Sequence, residues 1–135
     1  MLGHRRRKRD DRGAAAVEFA LVVPLLLVML FGIIDLGWVF GQQLAVTAAA
    51  REGAREFAIQ TVADPGGAQA AAELRAGELV PGTPTFAYPS TCSAGVPDDE
   101  LTMVVTIPLT DLTGWLEAIA PAATLQGTGS MRCGG

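Results

Sequence analysis

From Ala14 to Phe40 the chain reads AAAVEFALVVPLLLVMLFGIIDLGWVF, and only Glu18 and Asp35 in it are charged. The stretch from Phe19 to Ile34 carries no charge at all. At 1.5 Å per residue a helix of this length spans about 40 Å, enough to cross the roughly 30 Å hydrocarbon core of a bilayer. Apolar residues would occupy every side of that helix, so it lacks the single stripe of a soluble amphipathic helix. The chain has 135 residues, too few outside the run to wrap it as the buried helix of a large domain. The reading is a transmembrane helix over residues 14–40.

Charge sets its direction. Residues 1–12 hold Arg5, Arg6, Arg7, Lys8, Arg9 and Arg12 against Asp10 and Asp11, a net of +4. The whole chain carries -4, so the residues after this dozen carry -8. The positive-inside rule therefore predicts a cytoplasmic leader and sends residues 41–135 outward. Trp38 falls near the outer end, where an indole suits the interface or simply packs. A cleaved secretory signal, cut near Ala48-Ala49-Ala50, competes with this reading. Its apolar region would be far longer than the usual 7–15 residues, and no cysteine follows closely enough for lipidation. Nucleic-acid binding through the body is excluded, because only Arg51, Arg55, Arg75 and Arg132 are cationic there.

At the entrance to the span, Gly13 is followed by Ala14-Ala15-Ala16-Val17-Glu18-Phe19. A carboxylate placed in lipid costs a few kcal/mol, so Glu18 needs an explanation. One reading leaves it solvated among the headgroups. The other takes its spacing from Gly13 as a processing signal. A basic leader, a glycine, four small or apolar residues, a glutamate, an aromatic and an apolar helix resemble a type IV prepilin-like cleavage site. Cleavage after Gly13 would make Ala14 the new N-terminus and Glu18 the fifth mature residue. The new amine and the carboxylate could then neutralise each other between neighbouring subunits.

The wider segment is similar to the TadE-like proteins of tight-adherence (Tad, or Flp) pilus systems, which are minor pilins or pseudopilins. The residues that carry the likeness are Arg12-Gly13, Glu18-Phe19, Pro24, Gly32, Asp35 and the run Ala50-Arg51-Glu52-Gly53-Ala54-Arg55. The likeness is strong over residues 12–58 and weaker at the C-terminal end, through TMVVTIPL and Gly129-Ser130-Met131-Arg132. It implies processing by an aspartic prepilin peptidase of the bacterial cell membrane. It also implies partnership with other pilin subunits and the pilus assembly machinery, and a lobe that stays outside the membrane or joins a surface pilus. The alternative is an unprocessed single-pass protein whose outer lobe binds an envelope partner.

Three further positions along the helix have two readings each. Pro24 would remove one backbone hydrogen bond and kink the span, either to help subunits pack or to no effect. Asp35 lies about 25 Å along the helix from Glu18, so the two acids cannot share a site. It is either a solvated boundary residue or a contact to a partner. Arg51-Glu52-Gly53-Ala54 and Arg55-Glu56-Phe57-Ala58 repeat charges every four residues, with Arg55 and Glu52 paired at i, i+3. Arg51 and Arg55 belong to a solvated face or to a docking surface for another subunit.

Beyond Phe40 the helix is expected to extend over 41–63 and stop at Asp64-Pro65-Gly66-Gly67. The remainder, 64–135, is expected to be a small α+β lobe with one or two helices and a three-stranded antiparallel sheet. A second helix is predicted over Ala68–Leu79, and strands over Thr83–Tyr88, Leu101–Leu109 and Thr124–Arg132. Pro84 confines the first of these strands to an edge. A short helix is predicted over Asp111–Ile119, capped by Asp111 or Thr110, with Trp115 and Leu116 on its apolar side.

Cys92 and Cys133 are the only cysteines, and both fall on the outward side. That placement supports a disulfide rather than free thiols, of value to a lobe too small for a large core. A metal site lacks ligands, because the one histidine, His4, is in the leader. No nucleophile–base pair or phosphate-binding glycine loop can be assembled, so the chain does not read as an enzyme and no cofactor is expected. Asp98-Asp99-Glu100 reads as a solvated acidic turn, with weak calcium binding as the other reading.

Overall fold

The computed structural model describes residues 11–92 and 99–133. The basic run Arg5–Arg9, His4 and Asp98 lie outside the described residues. The elements follow the order α1 (Asp11–Ala63), α2 (Ala68–Gly77), β1 (Thr85–Ser90), β2 (Glu100–Pro108), α3 (Trp115–Ile119) and β3 (Thr124–Arg132). Helix α1 runs through Pro24 without interruption, and it stops where Asp64 and the two glycines predict. There Asp64 Oδ1 accepts the Gly66 N–H at 3.2 Å, and the Asp64 carbonyl accepts the Gly67 N–H at 3.1 Å. An aspartate that bonds its own following backbone offers the chain a turn in place of another helical residue.

The chain divides into two compact units, Met1–Leu36 and Gly37–Gly135. In the first, the described part of α1 exposes its large apolar side chains on every side, among them Val17, Phe19, Leu21, Leu25, Val28 and Ile33. Such a surface suits an apolar environment.

The second unit is the lobe. Its three strands form one antiparallel sheet in the order β1-β2-β3. Strand β2 alternates, with Leu101, Met103, Val105 and Ile107 buried. Its register with β3 is unbroken from Glu100↔Arg132 to Pro108↔Thr124. Strand β1 lies on an edge, but it covers Thr85–Ser90 and not Thr83–Tyr88, so Pro84 stands just before it, and its ladder shifts between Ala87 and Ser90. The cause is Pro89, which has no N–H to donate.

The sheet is covered by the C-terminal half of α1 and by α2. Val46, Ala49, Ala50, Ala54 and the flanking Phe57 recur at helical spacing and face the core. On α2, Ala68, Ala72 and Ala76 do the same at every fourth position. Small residues on both helices allow close approach. A Cβ added to Gly53 would collide with the Met103 sulfur and press on the Ala76 Cβ at 3.1 Å. The glycine thus leaves room for the Met103 side chain where α1, α2 and β2 meet, although in sequence it reads only as a weakness in the helix.

Strand β3 makes a still closer contact. Its inward residues Gly127 and Gly129 pair across the sheet with Val105 and Met103, large opposite small. A Cβ on Gly127 would fall inside 3.0 Å of the Val46 carbonyl and the Thr47 Cα. One on Gly129 would meet the Ala50 carbonyl and the Arg51 nitrogen equally closely. Here helix backbone rests directly on strand backbone.

The short helix departs from expectation. It covers Trp115–Ile119 and not Asp111–Ile119, and its N-cap is Gly114, with φ 79° and no side-chain cap. A left-handed backbone there favours glycine over either expected cap. Asp111 still takes part, because its Oδ2 accepts the Leu116 N–H at 2.8 Å. Trp115 is exposed, so it does not pack into the core.

Candidate processing and assembly site

Gly13 lies near the head of α1 with nothing within 4 Å of where a Cβ would stand. Ala14, Ala15, Ala16, Glu18 and Phe19 follow on the same helix and are all exposed. This segment has an unobstructed backbone at Gly13, small residues immediately after it, and one carboxylate little more than a helical turn farther on. Close helix approach favours such small residues. The 18-residue apolar window in this helix is unburied within the protein, and the helix is long and apolar enough to cross a membrane.

Asp35 corrects one expectation. It is fully buried, not a solvated boundary residue. A buried carboxylate requires compensation from its surroundings, and Asp35 does engage in such an interaction. Periodicity could not reveal this, since the acid stands alone in an apolar run.

Arg51 and Arg55 are exposed on the outer half of α1. The expected pair forms, with Arg55 Nη1 at 3.5 Å from Glu52 Oε1. Glu52 also receives Arg75 Nε from α2 at 3.6 Å, and Arg75 Nη1 reaches Glu78 Oε2 at 3.2 Å. The charge run is thus partly a bridge between the two helices, a role that Arg75 gave no sign of in sequence. Exposed pairs of this kind contribute about 0–1 kcal/mol each.

Cys92 and Cys133 are disulfide-bonded, with a Cα–Cα separation of 5.6 Å. The bond joins the chain just after β1 to the chain just after β3, and the Cys133 N–H donates to the Asp99 carbonyl at 2.9 Å. Among the described residues no three metal-ligating side chains converge.

Tyr88 lies between α1 and α2, with its ring 5.5 Å from that of Phe57 and its hydroxyl 3.4 Å from Glu73 Oε1. Burial, then the Glu73 charge and hydrogen bond, push its hydroxyl above its ordinary 10.0. The folded lobe keeps this proton as pH rises past 10.0, while the unfolded chain releases it. The contribution is complete below that pH and is lost above it. Because Lys8 is the only lysine and Tyr88 the only tyrosine, no other lobe side chain titrates in the same range. Urea midpoints measured at pH 8 and pH 11 should differ, and Tyr88→Phe should remove most of that difference. An equally steep alkaline loss in the variant would assign the effect elsewhere.

An apolar N-terminal helix with a glycine and a glutamate at its head thus continues into a small disulfide-bonded α+β lobe. Residues 13–55 match the family model described as TadE-like protein. Over that segment, about a third of the chain, it is similar to TadE-like proteins. The matched residues begin at Gly13, contain Glu18, Phe19, Pro24, Asp35 and Arg51, and end at Arg55. No curated protein and no solved structure gives a significant match.

Proposed function

We propose that this chain is a minor pilin or pseudopilin of a Tad-type pilus, cut after Gly13 by a prepilin peptidase. The observation that supports this most directly is the Gly13-to-Phe19 sequence at the head of an apolar helix, at the first residue of the TadE-like match. In this reading α1 anchors the chain in the cell membrane with its N-terminus cytoplasmic and the lobe outside. The leader sets that topology and is then removed. Ala14 gains a cationic amine, and Glu18 supplies the opposite charge from the same or a neighbouring helix as subunits pack. Each charge makes the other tolerable in an apolar assembly. Pro24, Asp35, Arg51 and Arg55 are the further positions at which neighbouring subunits or assembly proteins would bear on the helix.

Intact-mass measurement of the protein, made with and without the peptidase, tests the reading. The expected mature chain starts at Ala14 and has lost the leader. A chain that retains Met1 or Leu2 beside an active peptidase is an unprocessed anchor, and the pilin reading then fails. Glu18→Ala should leave membrane insertion intact and strongly reduce the pili formed. Undiminished piliation by that variant would remove the proposed charge pairing.

A further inference from the structure

The connection between β2 and β3, residues 109–123, has a defined place in the lobe. Gln42 Nε2 donates to the Thr110 carbonyl at 2.6 Å, and Thr110 Oγ1 donates back to Gln42 Oε1 at 3.1 Å. One residue on, Gln43 Nε2 donates to the Gln126 carbonyl at 2.7 Å. Gly127 then lies against Val46 and Gly129 against Ala50. Strand β3 therefore runs beside α1 in the same direction. The 109–123 connection stands at the end of the lobe where α1 enters it, level with Gln42.

That end of the lobe is apolar. On α1, just before Gln42, Trp38 is 45% and Phe40 70% exposed. In the connection, Leu112 is 57%, Trp115 45% and Ile119 71% exposed. Trp115 and Ile119 are four residues apart on α3 and so share a face. The connection contains two acids, Asp111 and Glu117, and no cation. Asp111 is occupied in holding the turn through the Leu116 N–H. An indole with two aliphatic side chains, in a lobe whose α1 carries a second indole one turn before Gln42, is the composition of a membrane interface.

We propose that α3 and its flanking turn are a second membrane contact. Trp115, Leu112 and Ile119 would bed into the headgroup–acyl boundary of the leaflet from which α1 emerges, beside Trp38 and Phe40. The inference rests on the anchored reading of α1. It adds that the lobe is seated on the bilayer and not held off it. Continuity with the span argues for lipid as the occupant, because Gln42 is about 3 Å along the helix from Phe40. The acidic lobe predicts a preference for zwitterionic over anionic lipid.

The chain has two tryptophans, so Trp38→Phe and Trp115→Phe each leave one reporter. Both full-length variants are placed in phosphatidylcholine vesicles, with native disulfide and circular dichroism confirmed. Each is then exposed to nitroxide-labelled phosphatidylcholine or to aqueous iodide. In the Trp38→Phe protein, Trp115 emission should be lost to a shallow nitroxide and protected from iodide at every protein-to-lipid ratio. Quenching by iodide and not by nitroxide overturns the proposal. Protection that grows with protein-to-lipid ratio and shows no nitroxide quenching also overturns it, and assigns the face to a second copy. In the Trp115→Phe protein, Trp38 reports the anchor itself. If Trp38 is quenched by nitroxide and Trp115 is not, only the second contact fails. If neither is quenched, the anchored reading fails with it.

Discussion

Gly129→Ala should destabilise the lobe by at least about 2 kcal/mol, at the upper part of the range for overpacking. For a domain of this size that lowers the melting temperature by roughly 10 °C. The reason is geometric. The new Cβ would meet the Ala50 carbonyl and Arg51 nitrogen inside 3.0 Å, and no side-chain rotation can relieve a collision with backbone. Either α1 lifts from β3 or the strand moves away from Met103. Gly127→Ala should behave similarly, because it would strike the Val46 carbonyl and Thr47 Cα. The double variant should cost less than the sum, since both contacts are relieved by the same separation of helix and strand. Gly41→Ala is the contrast. Nothing lies within 4 Å of its added Cβ, so better helix propensity should raise stability by up to about 1 kcal/mol. Near-ultraviolet circular dichroism of the full-length protein through a thermal ramp would read all four. Equal melting of the Gly129→Ala and Gly41→Ala proteins would mean that α1 does not rest on β3.

The second large effect is expected at the disulfide. Cys92 and Cys133 are 41 residues apart in sequence, and closing such a loop removes about 4 kcal/mol of unfolded-state entropy in the chain-entropy model. The lobe has few large buried side chains to compensate. Its core sets alanines and two valines, Val46 and Val80, around Leu101, Met103, Val105 and Ile107. Replacing both cysteines with serine should lower the urea midpoint by about 2 M, given a typical slope for a small domain. A fall of less than about 0.5 M would show that the strands hold their register without the covalent link.

Much of this architecture is legible in the amino-acid sequence. An apolar run with two charges in 27 residues allows little except a membrane-length helix, and Asp64-Pro65-Gly66-Gly67 marks its end. The β-branched stretch around Val104 and Val105 specifies a strand by composition, and α1 and β3 begin or end where local signals place them. What stays hidden in the sequence is tertiary. Gly127-x-Gly129 looks like a weak strand until a helix lies on it. The pattern is nonetheless visible: glycines at period two in one element and alanines at period four in another are what backbone contact requires. Gly114 displaces the expected side-chain cap because a left-handed backbone outweighs a modest capping preference. Asp35 reads as solvated because a lone acid in an apolar run carries no periodicity that would mark it as buried. Arg75 reaches Glu52 only because α2 folds back along α1.

The disulfide also fixes how the lobe would carry force. A pull between α1 and Cys133 finds its shortest covalent route through α2, β1, Cys92 and then directly across the sulfurs. Strands β2 and β3 and helix α3 lie on the branch that this route bypasses. Tension along that route would strip α2 and peel the edge strand β1, and its covalent extension would end at the disulfide. The segment between the two cysteines is thereby spared covalent extension.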